Sequence, residues 1–143
     1  MHFTRKADAE WNGGIIDGKG KVKLGSGAFE GAYSFQSRFG EDTVATNPEE
    51  LIAAAHASCY TMALSGNLGK AGYEPKHIHT TAKVKIEKQG DGFMIPNIEL
   101  ETEATVDGIE GEEFQKIAEE TKKTCPVSQV LSGAEISLKA SLV

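Results

Sequence analysis

Thr46-Asn47-Pro48-Glu49-Glu50-Leu51-Ile52-Ala53-Ala54-Ala55-His56-Ala57-Ser58-Cys59-Tyr60-Thr61-Met62-Ala63-Leu64 is the stretch that organises the chain. Asn47 is a good N-cap, Pro48 suits the first helical position, and Glu50 stands three residues after the cap, as in a capping box. From Leu51 to Leu64 the side chains are apolar or small on nearly every face, and His56 is the one acid or base among them. A helix without a polar side is usually buried all round. The stretch therefore predicts a long buried central helix, with Cys59 placed on it to do chemistry.

At 143 residues the chain is long enough for one domain with a sizeable core, so residues 1–143 are expected to form a single domain. Hydrophobic residues at 39% and charged ones at 25% are ordinary for a soluble globular protein. A net charge of -6 argues against nucleic acid or an anionic membrane as partner. The opening Met-His-Phe-Thr-Arg-Lys leads into polar residues rather than an apolar signal core, and no window approaches a membrane span. A cytoplasmic address is the expectation. Cys59 and Cys125 form neither a disulfide scaffold nor a Cys-x-x-Cys motif, so they are either unrelated thiols or a redox couple.

Outward from the helix, the pattern changes to period two. Lys6–Trp11 alternates polar and apolar and ends at the turn Asn12-Gly13-Gly14; Lys21–Leu24 reads as a second strand and Ala32–Phe39 as a third, ending near Arg38. The glycines between Gly13 and Gly31 suit hairpin turns rather than phosphate binding, because no helix follows them and no Gly-Lys-Ser/Thr occurs. Leu68-Gly69-Lys70-Ala71-Gly72, followed by Pro75, stops the central helix. His79–Glu87 and Phe93–Val106 alternate around the turn Gln89-Gly90-Asp91-Gly92. Glu110–Lys123 has Phe114, Ile117, Ala118 and Thr121 at helical spacing, Cys125-Pro126 opens a short helix to Leu131, and Ala134–Leu142 closes as a strand. The expected order is βββ-α-ββ-α-α-β, an α+β fold with mainly antiparallel sheets packed on the central helix.

A free thiol has a pKa of about 8.5 and is only slightly ionised at neutral pH. A small buried core residue is therefore the ordinary reading of Cys59. Three features favour reactivity. Cys125 precedes Pro126, which places its sulfur at a helix start. Arg38 lies just before the loop into the central helix, and Glu49, in its first turn, could fix the guanidinium. Glu49 and Cys59 are ten residues apart, about 15 Å along a helix, so they cannot share a site within one chain. They could across a two-fold axis, with two copies of the helix crossing antiparallel at Ala54, where Ala53, Ala55 and Ala57 let backbones approach closely.

The Thr46-Asn47-Pro48-Glu49-Glu50-Leu51 string, the helix ending Ala57-Ser58-Cys59-Tyr60, and Cys125-Pro126-Val127-Ser128 together closely resemble the OsmC/Ohr family. Glu10-Trp11 and Ser37-Arg38-Phe39 extend the resemblance over essentially the whole chain, and an arginine just before the central helix is more similar to the OsmC branch than to Ohr. The resemblance implies an intertwined two-fold homodimer, with active sites shared between subunits, acting as a thiol peroxidase. It implies a peroxidatic role for Cys59, a resolving role for Cys125, and Arg38 held by Glu49 beside the reactive sulfur. Cys59 would become a sulfenic acid, condense with Cys125 to a disulfide and be recycled by an external thiol or dithiol, such as a lipoyl-type one, without cofactor or metal. The expected substrate is a small-molecule peroxide, with Leu51, Met62 and the aromatics favouring organic hydroperoxides over hydrogen peroxide, in oxidative or osmotic stress defence.

Two other readings compete. A dimeric binding or stress protein could carry incidental cysteines, and His56, on the same helix face as Cys59, could serve a Cys-His hydrolase. No orienting acid or oxyanion site is evident for the hydrolase, so His56 reads as a core or interface histidine. His77 and His79 share a strand face, yet two ligands without a third make a poor metal site. Trp11 reads as a packing residue.

Overall fold

The computed structural model describes residues 1–143, which cluster into two compact units, Met1–Leu51 and Ile52–Val143. The first unit holds three strands, β1 (Ala7–Asn12), β2 (Lys19–Leu24) and β3 (Glu30–Tyr33), in an antiparallel sheet ordered β1-β2-β3. Gly20 sits on the middle strand opposite both Trp11 and Tyr33. The two rings lie 5.5 Å apart, and a Cβ at Gly20 would stand 2.6 Å from Tyr33 and 2.7 Å from Trp11. The missing side chain makes room for the aromatic pair.

The chain then turns into α1 (Phe35–Phe39) instead of extending the strand to Phe39, which corrects the alternation reading. The cause is local. The Ser34 hydroxyl accepts the Ser37 amide at 3.1 Å, and the Ser37 hydroxyl accepts the Ser34 amide at 2.8 Å, a reciprocal cap made by two serines. Phe35 and Phe39, alternate residues on a strand, become neighbours one helical turn apart with ring centroids at 5.2 Å.

Helix α2 (Pro48–Lys70) begins in this unit and continues into the second. Asn47 caps it as expected, its Oδ1 accepting the Glu50 amide at 2.8 Å. The reciprocal half of the box is replaced: the Glu50 carboxylate accepts the Thr46 hydroxyl instead. At the far end Gly72, with φ +94°, carries a left-handed stop in which Tyr73 N bonds Leu68 O and Gly72 N bonds Gly69 O.

In the second unit, β4 (Pro75–Gln89) and β5 (Gly92–Val106) form a long antiparallel hairpin, and β6 (Glu135–Leu142) pairs with β5 in parallel. Helices α3 (Gly111–Thr124) and α4 (Pro126–Val130) supply the crossover that a parallel pair requires. The observed order is βββ-αα-ββ-αα-β, an α+β fold with one helix more than the sequence pattern suggested. Tyr60, Leu64, Leu68, Leu100, Ala104, Phe114, Ala118 and Cys125 form the core of this unit. No helix is long and apolar enough to cross a membrane.

Helix α2 is not buried all round in the single chain. His56, Tyr60, Leu64 and Leu68, spaced by four, are fully covered. The other face, Ala54, Ala55, Ser58, Met62 and Ser65, is exposed. Tyr60 donates to Ala118 O at 3.0 Å and Asn67 to the Thr121 hydroxyl at 2.8 Å, so polar groups on the covered side are bonded to α3.

The α2 stop gives a sign-reversing test. Gly72→Ala should lower unfolding stability by about 1 kcal/mol, because a Cβ disfavours the left-handed backbone. Gly69→Ala, on the exposed last turn with no atom near the added carbon, should raise it by about 0.5 kcal/mol. Urea unfolding of both variants measures the two signs.

Candidate active site

Cys59 lies on α2 one residue before the buried Tyr60, and so at the margin of the covered face. Cys125 sits between α3 and α4 and is fully buried. Both are free thiols, and their sulfurs are 2.9 Å apart. Residues far apart in sequence thus meet because α2 supplies one sulfur and the α3–α4 corner the other. Pro126, unable to donate a hydrogen bond, marks the start of α4.

The two sulfurs are not equivalent. Burial pushes Cys59 up, and the neighbouring Cys125 adds to this, against a hydrogen bond from the Val127 amide. Burial alone would raise Cys125 too, but the neighbouring Cys59 thiol and the polar groups of Val127 and Ser128 at the start of α4 bring it down. No cation stands among the groups that act on Cys59.

A positioned cation stands in the first unit. Arg38 Nε donates to Glu49 Oε1 at 2.9 Å and Oε2 at 3.2 Å, while Nη2 lies 2.8 Å from Oε1. The side-on pairing uses one edge of the guanidinium and leaves donors available. Glu49 is almost fully buried and lies in the first turn of α2, where the helix dipole favours a carboxylate. Asn47 Nδ2 donates to Ser37 O at 3.0 Å, tying α1 to the α2 cap, and the Arg38 guanidinium lies 5.2 Å from the Phe39 ring. Arg38 therefore reaches Glu49 from a helix rather than from a strand end.

The four residues singled out from sequence fall into two pairs: Cys59 with Cys125 in one unit, Arg38 with Glu49 in the other. The imidazole of His56 is fully buried and bonds Ser128 at 2.7 Å rather than Cys59. Ser128 was visible only as the last residue of the Cys-Pro-Val-Ser string. Its place three residues after a helix-opening cysteine was the one sign the sequence carried, and nothing in the spacing tied it to His56. His77 and His79 are exposed on β4, and no group of three ligating side chains gathers around them.

The sequence profile described as OsmC-like protein matches residues 40–141. The peroxiredoxin OsmC of Escherichia coli is 48% identical over 143 residues, covering 99% of each chain. An organic hydroperoxide resistance protein-like chain of Staphylococcus aureus is 32% identical over 93 residues, covering 64% of this chain and 66% of its own. The solved structure of an organic hydroperoxide resistance protein from Elizabethkingia anophelis superposes with a TM-score of 0.75 at 28% identity, covering 99% of this chain and 98% of that one. The profile match across most of the chain and the full-length identity carry one conclusion: the protein belongs to the OsmC-like family.

Proposed function

We propose that this protein is a cysteine-based peroxidase that reduces organic hydroperoxides, and hydrogen peroxide more weakly, at Cys59. Its broad class, a peroxiredoxin-type oxidoreductase, follows from family membership and from the 48% identity to a peroxiredoxin over the full chain. The observation that carries the detailed reading is the meeting of two free thiols at 2.9 Å.

In the reaction, the Cys59 thiolate attacks the distal peroxide oxygen. A sulfur–oxygen bond forms, the oxygen–oxygen bond breaks, and the departing alkoxide takes a proton to leave as alcohol, or as water from hydrogen peroxide. The Cys125 thiolate then attacks the sulfenic sulfur. A sulfur–sulfur bond forms and hydroxide leaves as water. A thiol or dithiol, of the lipoyl type for example, returns the disulfide to two thiols by exchange.

The cation that Cys59 lacks comes, on this reading, from a second copy of the chain. Two α2 helices cross antiparallel near Ala54, so that Arg38 and Glu49 of one subunit stand beside Cys59 of the other. The exposed face of α2 supports this. Ala54, Ala57, Ser58, Met62 and Ser65, with Ile78 of β4, line an open groove of about 720 Å³ whose wall is mostly apolar or small. Met62, 79% exposed, gains cover only from a partner. The guanidinium would stabilise both the thiolate and the charge developing on the peroxide oxygens.

Cys59→Ser should abolish turnover of an organic hydroperoxide with a dithiol. Cys125→Ser should still form one sulfenic acid per subunit but no internal disulfide. Full turnover by Cys59→Ser would overturn the assignment.

Subunit sharing has its own test. Homodimers of Cys59→Ser and of Arg38→Met should both be inactive or nearly so. A heterodimer of the two contains one intact site if the arginine acts across the interface, and should recover about half the activity per dimer. No recovery, or a fully active monomer by sedimentation, would exclude the shared site.

A further inference from the structure

Asn47 makes a bond that capping does not require. Its Oδ1 accepts the Glu50 amide at 2.8 Å, the contact that caps α2. Its Nδ2 donates to Ser37 O at 3.0 Å. The two partners fix the orientation of the side-chain amide, since a flipped group would set oxygen against oxygen and N–H against N–H. Serine, threonine or aspartate would cap the helix as well. Of these favoured caps, asparagine alone adds an N–H donor to its acceptor.

The carbonyl that Asn47 grips belongs to the peptide unit whose nitrogen is that of Arg38. That nitrogen donates in turn to Ser34 O at 3.2 Å. Thr46, the residue before Asn47, holds the same place, its carbonyl accepting the buried Ser37 hydroxyl at 2.7 Å. At the far end of the side chain, Glu49 takes Nε and Nη2 of the guanidinium. Arg38 is thus held at its backbone and at its tip by the start of α2, through Asn47 and Glu49. The ring of bonds closes within the first unit. The Arg38 side chain is 38% exposed. Held only at its tip, it would be left to swing about the carboxylate. With its backbone fixed as well, its other edge keeps one direction.

We propose that Asn47 is a positioning residue for the peroxidatic step, its Nδ2 holding the Ser37–Arg38 peptide so that the guanidinium presents a fixed edge to the sulfur it serves. The inference rests on the proposed role of Arg38 beside Cys59. Asn47 touches neither peroxide nor sulfur. It acts through Arg38 on the rate at which the sulfur–oxygen bond forms.

Asn47→Ser separates the two bonds, because it keeps a cap acceptor and loses the reach to Ser37 O. With an alkyl hydroperoxide at pH 7, the second-order rate of Cys59 oxidation should fall about tenfold, the weight of one hydrogen bond. Conversion of the sulfenic acid to the disulfide should keep its rate. Asn47→Ala loses both bonds. It should unfold at lower urea than Asn47→Ser yet oxidise no more slowly, so that stability follows the cap and rate follows the tether. In an Arg38→Met background, Asn47→Ser should slow oxidation no further, because changes acting through one guanidinium do not add. Asn47→Asp, another cap without the donor, keeps the test open if Asn47→Ser fails to fold. A wild-type oxidation rate in Asn47→Ser, or an equal loss on top of Arg38→Met, would overturn the proposal. If Arg38→Met itself oxidises at the wild-type rate, the reading of Arg38 fails, and the proposal with it.

Discussion

The packing of α2 through His56, Tyr60, Leu64 and Leu68 is the constraint on which the rest depends. Residues four apart on a helix share one face, and here that face is covered along the length of the second unit. Tyr60 and Asn67 bond α3 from the same helix, which fixes the position of α3 and thereby of Cys125 at its end. Cys59, one residue before Tyr60, is half-buried and packs against the edge of this core. It is left at the boundary, against the one other cysteine in the chain.

The same packing explains how the molecule divides its chemistry. The second unit supplies the thiol pair, with Cys125 the buried sulfur and Cys59 at the margin. The first supplies a guanidinium immobilised by a buried carboxylate. A ten-residue offset along α2 separates Glu49 from Cys59, about 15 Å of helix. On the proposed reading the cation for Cys59 arrives with the second subunit, so assembly of the dimer and activation of Cys59 are one event. The alanines that make α2 small at its midpoint then serve catalysis as much as packing.

Much of this was legible in the residues. The Asn47 cap, the Gly72 stop, the hairpin turn at Gly90-Asp91 and the amphipathic α3 all follow from local rules, and the structure has them. Helix α1 was not, because Tyr33 to Phe39 alternates as well as a strand does and reads as a helix only once Ser34 and Ser37 are seen to cap each other. The one-sided burial of α2 was also hidden. Composition says that a face is apolar, not whether its own chain or another covers it. Nor could spacing show that His56 faces Ser128, since a contact between α2 and α4 depends on how two helices dock, whereas capping and periodicity are written within each helix.

The central claim is that Cys59 and Cys125 are a working redox couple and not two buried thiols that happen to touch. Titration of the thiols against pH, followed by mass mapping after one equivalent of an organic hydroperoxide, tests it most directly. The account predicts that Cys59 ionises below the ordinary thiol range in the assembled protein and that a Cys59–Cys125 disulfide forms stoichiometrically. Two thiols with ordinary pKa values and no disulfide after peroxide would contradict it.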